Sequence, residues 1–313
     1  MTILGKKAVV AALTVAVVCG TVTTANAAEH QAEAIACDAS SSGKPASFYD
    51  GDSASYAYDK RFSKGPAVPE LGTHTPQGIA TWYSWDGGND LLVISAYQDG
   101  KNAYLIGIDA KTGKHIGTVA IAPTHAGGIA ITMGWAFVQG SGDTIRRYRL
   151  SELKAAMKQS GTPYLKQVGE ARKVYAASFL TSYGNDLYSG KFSETGRERM
   201  YRYRVGADGS LTTQAGAYEV PAKTQGLMVT NSHFVYSTSY GNDNRSNVYV
   251  VDSGARDIDK ASTRCYRAPS MSEGMTESGG YAYLVYESGS AQYLPKHPRN
   301  VIKNLHKGKI TGL

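Results

Sequence analysis

Glu273 is the side chain in this sequence best suited to acid–base chemistry. It stands in Met271-Ser-Glu-Gly-Met275, directly before a glycine, and Glu277 and Glu287 follow it along the chain. A carboxyl beside a water-filled funnel can serve as a general base. A glycosidase would need two carboxyls about 5–10 Å apart across a sugar, a distance that order along the chain does not set. His74 and His125 could transfer protons or bind a metal. Two histidines near a wet channel are commonly idle, so neither a metal nor a cofactor is expected. Ser151-Glu-Leu-Lys154 fits an acyl-enzyme pattern. It reads better as the N-cap of a short surface helix, Ser151 to Gln159. No nucleophile elbow, Walker loop, dinucleotide fingerprint or His-Glu-x-x-His is present. Asn242-Asp243-Asn244 matches only a fragment of a calcium loop and is read as an Asn-rich hairpin.

An internal repeat must position these side chains. Five segments align: Thr75-Pro-Gln-Gly-Ile-Ala-Thr81, His125-Ala-Gly-Gly-Ile-Ala-Ile131, Tyr175-Ala-Ala-Ser-Phe-Leu-Thr181, Lys223-Thr-Gln-Gly-Leu-Met-Val229 and Met271-Ser-Glu-Gly-Met-Thr-Glu277. Their fourth residues, Gly78, Gly128, Ser178, Gly226 and Gly274, are 50, 50, 48 and 48 residues apart. Each segment leads through Gly-, Asn- and Asp-rich turns into further short strands, four per repeat, which describes a propeller blade. The expectation is an all-β, five-bladed β-propeller with one short surface helix. Its blades start near residues 75, 125, 175, 223 and 271, within a domain spanning 46–313. The small residue in each first strand suits the convergence of innermost strands on the ring axis, where bulky side chains would collide. Pro295 and Pro298 interrupt the last repeat, so Ser47 to Phe62 is the candidate strand to complete its blade.

Loops leading into the innermost strands, and loops joining second to third strands, share one face of a propeller, and function collects there. The first set offers His74, Gln77, His125, Lys223, Gln225 and Glu273. The second offers Tyr97, Gln139, Lys191, Tyr240, Arg245 and Glu287. The principal ligand-binding candidates are His74, Gln77, Tyr97, His125, Lys223, Gln225, Tyr240, Glu273 and Glu287. Such a lining could hold a small polar ligand, a glycan or a peptide.

The first residues read as an export signal: Lys6 and Lys7, an apolar Ala8 to Val18, and Ala25-Asn26-Ala27 as cleavage site. Segment 1–27 is thus assigned as signal peptide, 28–45 as a partly flexible leader into the propeller, and the protein as secreted and extracellular. Cleavage would leave Cys37 and Cys265, which should pair in an oxidising compartment. A bond closing so long a loop stabilises by roughly 4–5 kcal/mol at most. The formal charge of +7 falls partly in the tail and is read as solvated surface. No nucleic-acid module or membrane span is expected, and the chain is read as a monomer.

At Lys223-Thr-Gln-Gly-Leu227 and Ser272-Glu-Gly-Met275 the repeats resemble strand starts of plant-type glutaminyl cyclases, which are exported five-bladed propellers. That resemblance makes Glu273 the counterpart of the family's acid. The second and third repeats read Gly127-Gly128 and Ala177-Ser178 instead and depart from its pattern. The mature chain also resembles secreted propellers of Gram-positive, actinobacterial-type bacteria, mostly of unassigned activity. The leading expectation is an extracellular module that binds a protein, peptide or glycan at the channel mouth. The alternative is an enzyme on the same face: a glycan hydrolase or lyase, or a glutaminyl-cyclase-like enzyme.

Overall fold

The computed structural model describes residues 35–313 apart from 42, 45 and 46, so the signal-peptide segment lies outside the described residues. The described chain begins its regular structure with α1 (Tyr56–Arg61), which runs directly into β1 (Phe62–Ala67). Blade 1 is β2 (Thr75–Trp82), β3 (Leu91–Tyr97), β4 (Ala103–Asp109) and β5 (His115–Ile121). Blade 2 is β6 (Ile129–Thr132), β7 (Trp135–Gln139), β8 (Thr144–Arg149) and, after helix α2 (Leu150–Met157), β9 (Arg172–Lys173). Blade 3 is β10 (Phe179–Tyr183), β11 (Asp186–Gly190), β12 (Glu198–Val205) and β13 (Leu211–Val220). Blade 4 is β14 (Thr224–Val229), β15 (His233–Thr238), β16 (Ser246–Asp252) and β17 (Thr263–Ala268). Blade 5 takes β18 (Ser272–Ser278), β19 (Tyr281–Tyr286) and β20 (Asn304–Lys309), and β1 is its outermost strand. The result is the five-bladed propeller that the repeat predicts.

Alternation along each strand builds the core. In β3, Leu91 and Val93 face blade 2, whereas Leu92 and Ile94 face blade 5. Successive side chains point to opposite faces of a strand, and here both faces are covered by a neighbouring blade. The strand therefore opens on four consecutive apolar residues, Leu91 to Ile94, and is buried throughout. The described core falls into five clusters, each between two neighbouring blades.

The glycines at the aligned positions meet one another between blades. A Cβ on Gly78 would lie 2.9 Å from the Gly128 Cα, and one on Gly274 would lie 2.8 Å from the Gly78 Cα. A Cβ on Gly226 would lie 2.8 Å from the Gly274 Cα. Only a residue without a side chain allows this backbone approach.

Two expectations need correction. The closing strand is Phe62–Ala67, paired with β20, and Ser47 to Phe62 supplies only its first residue. Within that segment the Ser55 hydroxyl accepts from the Tyr58 amide (3.1 Å) and starts a helix. Tyr58 anchors the helix: it stacks on Phe62 at 4.4 Å, and its hydroxyl meets Tyr286 (2.6 Å) and His306 Nδ1 (2.7 Å). Nor does Ser151 cap the second helix. β8 runs straight into it, Arg149 takes the cap position without a side-chain bond, and the Leu150 amide donates to Gly134 O. Cys37 and Cys265 are bonded. Asp38 pairs beside β17 through backbone bonds with Cys265 and Arg267, each 2.9 Å. The bond thus fastens the leader to blade 4 just before the chain enters blade 5.

Candidate functional site

Three blades share a local irregularity at the start of their innermost strand. In blade 1 the register shifts between Pro76 and Gly78, in blade 4 between Thr224 and Gly226, and in blade 5 between Ser272 and Met275. Each shift inserts one extra residue, a β-bulge, which bends the strand and re-aims a side chain. The residues concerned are Gln77, Gln225 and Glu273. Just before two of these bulges, Lys223 and Met271 hold left-handed backbone (φ 66° and 64°), a conformation that costs a bulky residue energy and collects at functional sites. Blades 2 and 3 have no such shift, and their innermost strands start only at Ile129 and Phe179. The mouth chemistry is therefore one-sided, built where blades 4, 5 and 1 adjoin.

The bulged residues meet acids. Gln225 Nε2 donates to Glu273 Oε1 (3.1 Å), bridging blades 4 and 5. Gln77 Nε2 donates to Glu287 Oε2 (2.8 Å), bridging blades 1 and 5. Glu287 directly follows β19, and its amide donates to Met271 O, so the two carboxyls sit on adjacent strands of one blade. Glu273 is only 1% exposed. Burial first, then the charge of Glu287, raises its carboxyl well above the ordinary range, against the Gln225 hydrogen bond. Burial pushes Glu287 up to about 7, against the hydrogen bonds of Gln77 and Tyr293 and the charge of Lys296. Glu287 is only half-buried, so it is the member of the pair that solvent or a ligand can reach.

The surrounding network comes mostly from residues that the repeat did not single out. The Tyr293 hydroxyl acts on the Glu287 carboxyl and favours its charged form. Gln292 accepts from the Thr75 hydroxyl (3.0 Å) and donates to the Tyr97 hydroxyl (3.1 Å). Gln292 and Tyr293 lie in the proline-containing stretch between β19 and β20, a second-to-third loop of the kind that yields Tyr97 and Glu287. Their position alone could have flagged them.

The remaining candidates disperse. His74 is buried, stacked on Tyr104 at 3.5 Å, with Nε2 on Asn102 O (2.9 Å) and Nδ1 on the Thr73 hydroxyl (3.0 Å). Both its ring nitrogens are thus occupied. His125 is exposed and stacks on Tyr97 at 4.2 Å, at the edge of the network. Gln139 accepts from the Gly127 amide (2.6 Å), and Lys191 pairs with Glu198 (3.4 Å). Lys223 and Tyr240 line a separate polar pocket of about 300 Å³ with Arg245, Arg267 and Arg299. There the Lys223 ammonium lies 5.6 Å from the Tyr240 ring centre, and Arg245 binds Ser53 O and the Asn300 side chain. Among the described residues no three His, Cys, Asp or Glu side chains are grouped to hold a metal ion, and no helix is long and apolar enough to cross a membrane.

Neither a protein family nor a curated protein matches the sequence. Among solved structures, the chain is similar to hydrazine synthase of Kuenenia stuttgartiensis, with 15% identity and a TM-score of 0.40 over 69% of this chain and 57% of that one. It is also similar to a quinonprotein alcohol dehydrogenase-like protein of Bacteroides thetaiotaomicron, with 14% identity and a TM-score of 0.36 over 68% of this chain and 50% of that one. A chain of the nidogen/laminin complex matches at 10% identity and a TM-score of 0.38, over 68% of this chain and 73% of that one. The chain thus spans only about half the length of the first two.

Proposed function

We propose that the protein is a secreted binding propeller that takes a small polar ligand at the channel mouth, between blades 4, 5 and 1, with Glu287 as the group that meets it. The observation that carries this reading is the carboxyl pair: a sequestered Glu273 behind a reachable Glu287 that titrates close to neutrality. Carboxyls, glutamine amides and tyrosine hydroxyls suit a ligand that donates hydrogen bonds, so an amine, amide or polyol is the class expected. The signal-like start and the Cys37–Cys265 bond support an oxidising, extracellular setting.

The value near 7 favours a second reading, because a general acid–base group works best when its pKa lies near the operating pH. Two carboxyls flanking a sugar do not describe this pair, since Glu273 is covered and on the same blade as Glu287. A single proton carrier fits better. Following the Thr-Gln-Gly-Leu and Glu-Gly-Met resemblance, the substrate to try first is a peptide with N-terminal glutamine. Its α-amine would attack the side-chain amide carbon, the C–N bond to the amide nitrogen would break, and ammonia would leave. Glu287 would pass the proton from the attacking amine to that nitrogen. This differs from the resemblance, which selects Glu273.

The test is calorimetry near pH 7 with small amines, sugars and a Gln-initiated peptide, each titrated in two buffers of different ionisation heat. Binding that exchanges protons with wild type and not with Glu287→Gln supports the site, and ammonia release from the peptide by wild type alone supports the enzyme. A ligand bound equally by both proteins, with no proton exchange, refutes a role for Glu287.

A further inference from the structure

A cavity of about 870 Å³ lies at the other end of the innermost strands, where they turn into the second strands. Its volume falls within the ~300–1,000 Å³ usual for ligand sites. All five blades contribute to its wall, and the repeat sets its rim. Five residues beyond Gly78, Gly128, Ser178, Gly226 and Gly274 come Tyr83, Met133, Tyr183, Asn231 and Gly279. The first three belong to consecutive blades and are 57%, 36% and 39% exposed. They make an apolar, mostly aromatic arc on one side, facing a polar side at Asn231. Exposed apolar clusters of this kind mark interaction sites more than scattered surface residues do.

The polar groups within are chosen as narrowly. The Thr81 and Thr132 hydroxyls each donate to a neighbouring blade's backbone carbonyl, Glu277 O and Gly184 O. The Thr181 and Tyr183 hydroxyls and the Asn231 amide take part in no hydrogen bond described in the structure and stay free for a ligand. The single charged lining residue, Glu277, is already satisfied: its carboxylate accepts from the Tyr83 hydroxyl (2.6 Å) and the Gly280 amide (2.8 Å). A cavity whose one charged group already accepts two hydrogen bonds, and whose other polar groups are hydroxyls and an amide, suits an uncharged ligand better than an ion. Pyranose rings present an apolar face, which stacks on aromatic side chains, and an edge of hydroxyls, which needs uncharged donors and acceptors.

We propose that this funnel is a binding site for a neutral oligosaccharide, stacked on Tyr83 and Tyr183 and hydrogen-bonded by Thr181 and Asn231. It uses none of the mouth residues and stands whether or not the mouth binds or catalyses.

The experiment titrates maltotetraose, cellotetraose and tetra-N-acetylchitotetraose, one neutral sugar family each, into the intact oxidised protein, with heat and tryptophan fluorescence as readouts, Trp82 lining the funnel. At least one should bind with a Kd of roughly 1 mM or tighter. Tyr83→Ala combined with Tyr183→Ala should weaken it at least about tenfold, while Tyr164→Ala, at an exposed tyrosine outside the funnel, should leave it unchanged. Unchanged melting temperatures would show that the aromatic variants still fold, and Thr181→Val gives an independent lesion of the hydrogen-bonding side. Absence of binding by all three sugars up to ~10 mM, binding untouched by the tyrosine and threonine substitutions, or preference for a sulfated oligosaccharide would each overturn the proposal.

Discussion

Replacing Glu287 by Gln should stabilise the protein at alkaline pH and do so progressively from about pH 4.5 to 7. A carboxyl whose folded pKa stands above its unfolded value binds more protons in the native state than in the unfolded chain between those two values. Stability then falls as pH rises through that window. For Glu287 the window runs from the ordinary carboxyl value of 4.5 to about 7. At about 1.4 kcal/mol per pH unit, the folded protein loses about 3 kcal/mol across it. Glutamine resembles the protonated acid in shape and keeps an acceptor for Gln77, yet it has no proton to lose. Below pH 4.5 the two proteins should differ by a constant offset, and by pH 8 the variant should have gained about 3 kcal/mol relative to that offset. Glu273 adds to the difference, because removing the charge of Glu287 relieves part of what raises it. Other titrations cancel between the two proteins. One of these is buried His306, which burial lowers to about 3, so that its contribution is present above pH 6.5 and is lost as pH falls towards 3. The assay is urea unfolding of both proteins, disulfide intact, at pH 4, 5, 6, 7 and 8. A difference independent of pH would mean that Glu287 titrates as an ordinary exposed carboxyl, and the reading of the mouth would fall with it.

Reducing the Cys37–Cys265 bond, or replacing Cys265 by Ser, should lower the melting temperature. The bond closes a separation of 228 residues, for which chain entropy sets an upper figure of about 5 kcal/mol; an unchanged melting temperature would refute the clamp. Gly274→Ala should cost about 1–3 kcal/mol or more, since its Cβ would fall 2.7 Å from the Ile79 amide nitrogen and 2.8 Å from the Gly78 Cα, both backbone. Gly72→Ala, with nothing within 4 Å, should be close to neutral, and equal melting of the two variants would show that the glycines are not packed against one another.

The blade count was legible because a ring imposes one severe condition per blade. The innermost backbones must nearly touch, so Gly78, Gly128, Gly226 and Gly274 recur at a fixed spacing, and Ser178 is the largest residue in the series. Ring closure was harder to read. Tyr49, Tyr56 and Tyr58 suit a half-buried strand equally well, and what makes that stretch a helix is one serine side chain turned onto the Tyr58 amide together with tertiary partners at Tyr286 and His306. Those partners lie more than 200 residues away, beyond any local pattern. Arg149 is a nearer case: its place at the head of α2 follows from its pairing with Trp135 on the adjacent strand.

The mouth shows how a site can be half written in a repeat. The residue before each aligned position is Gln77, Gly127, Ala177, Gln225 or Glu273. Large polar side chains stand there in the three blades that carry a bulge, and small ones in the two that do not. In the regular second blade a Cβ on Gly127 would already lie 2.5 Å from Ser178 O of the neighbouring blade, whereas in the bulged blades the extra residue re-aims the side chain. The bulge and the side chain therefore depend on each other, which is why the pattern picks out Glu273 but cannot tell that its neighbour across the sheet, Glu287, is the accessible acid. The funnel is the complementary case. From Gln77 to Tyr83 the chain advances six residues, about 20 Å of extended strand, so the two ends of β2 serve chemically unlike surfaces. One end is acidic and amide-lined, and the other is mostly uncharged and aromatic, with Glu277 its one charged group. The ring of glycines between them explains how a five-fold repeat can diverge at both ends: it fixes the backbone in the middle of every innermost strand and leaves the residues before and after it free to change.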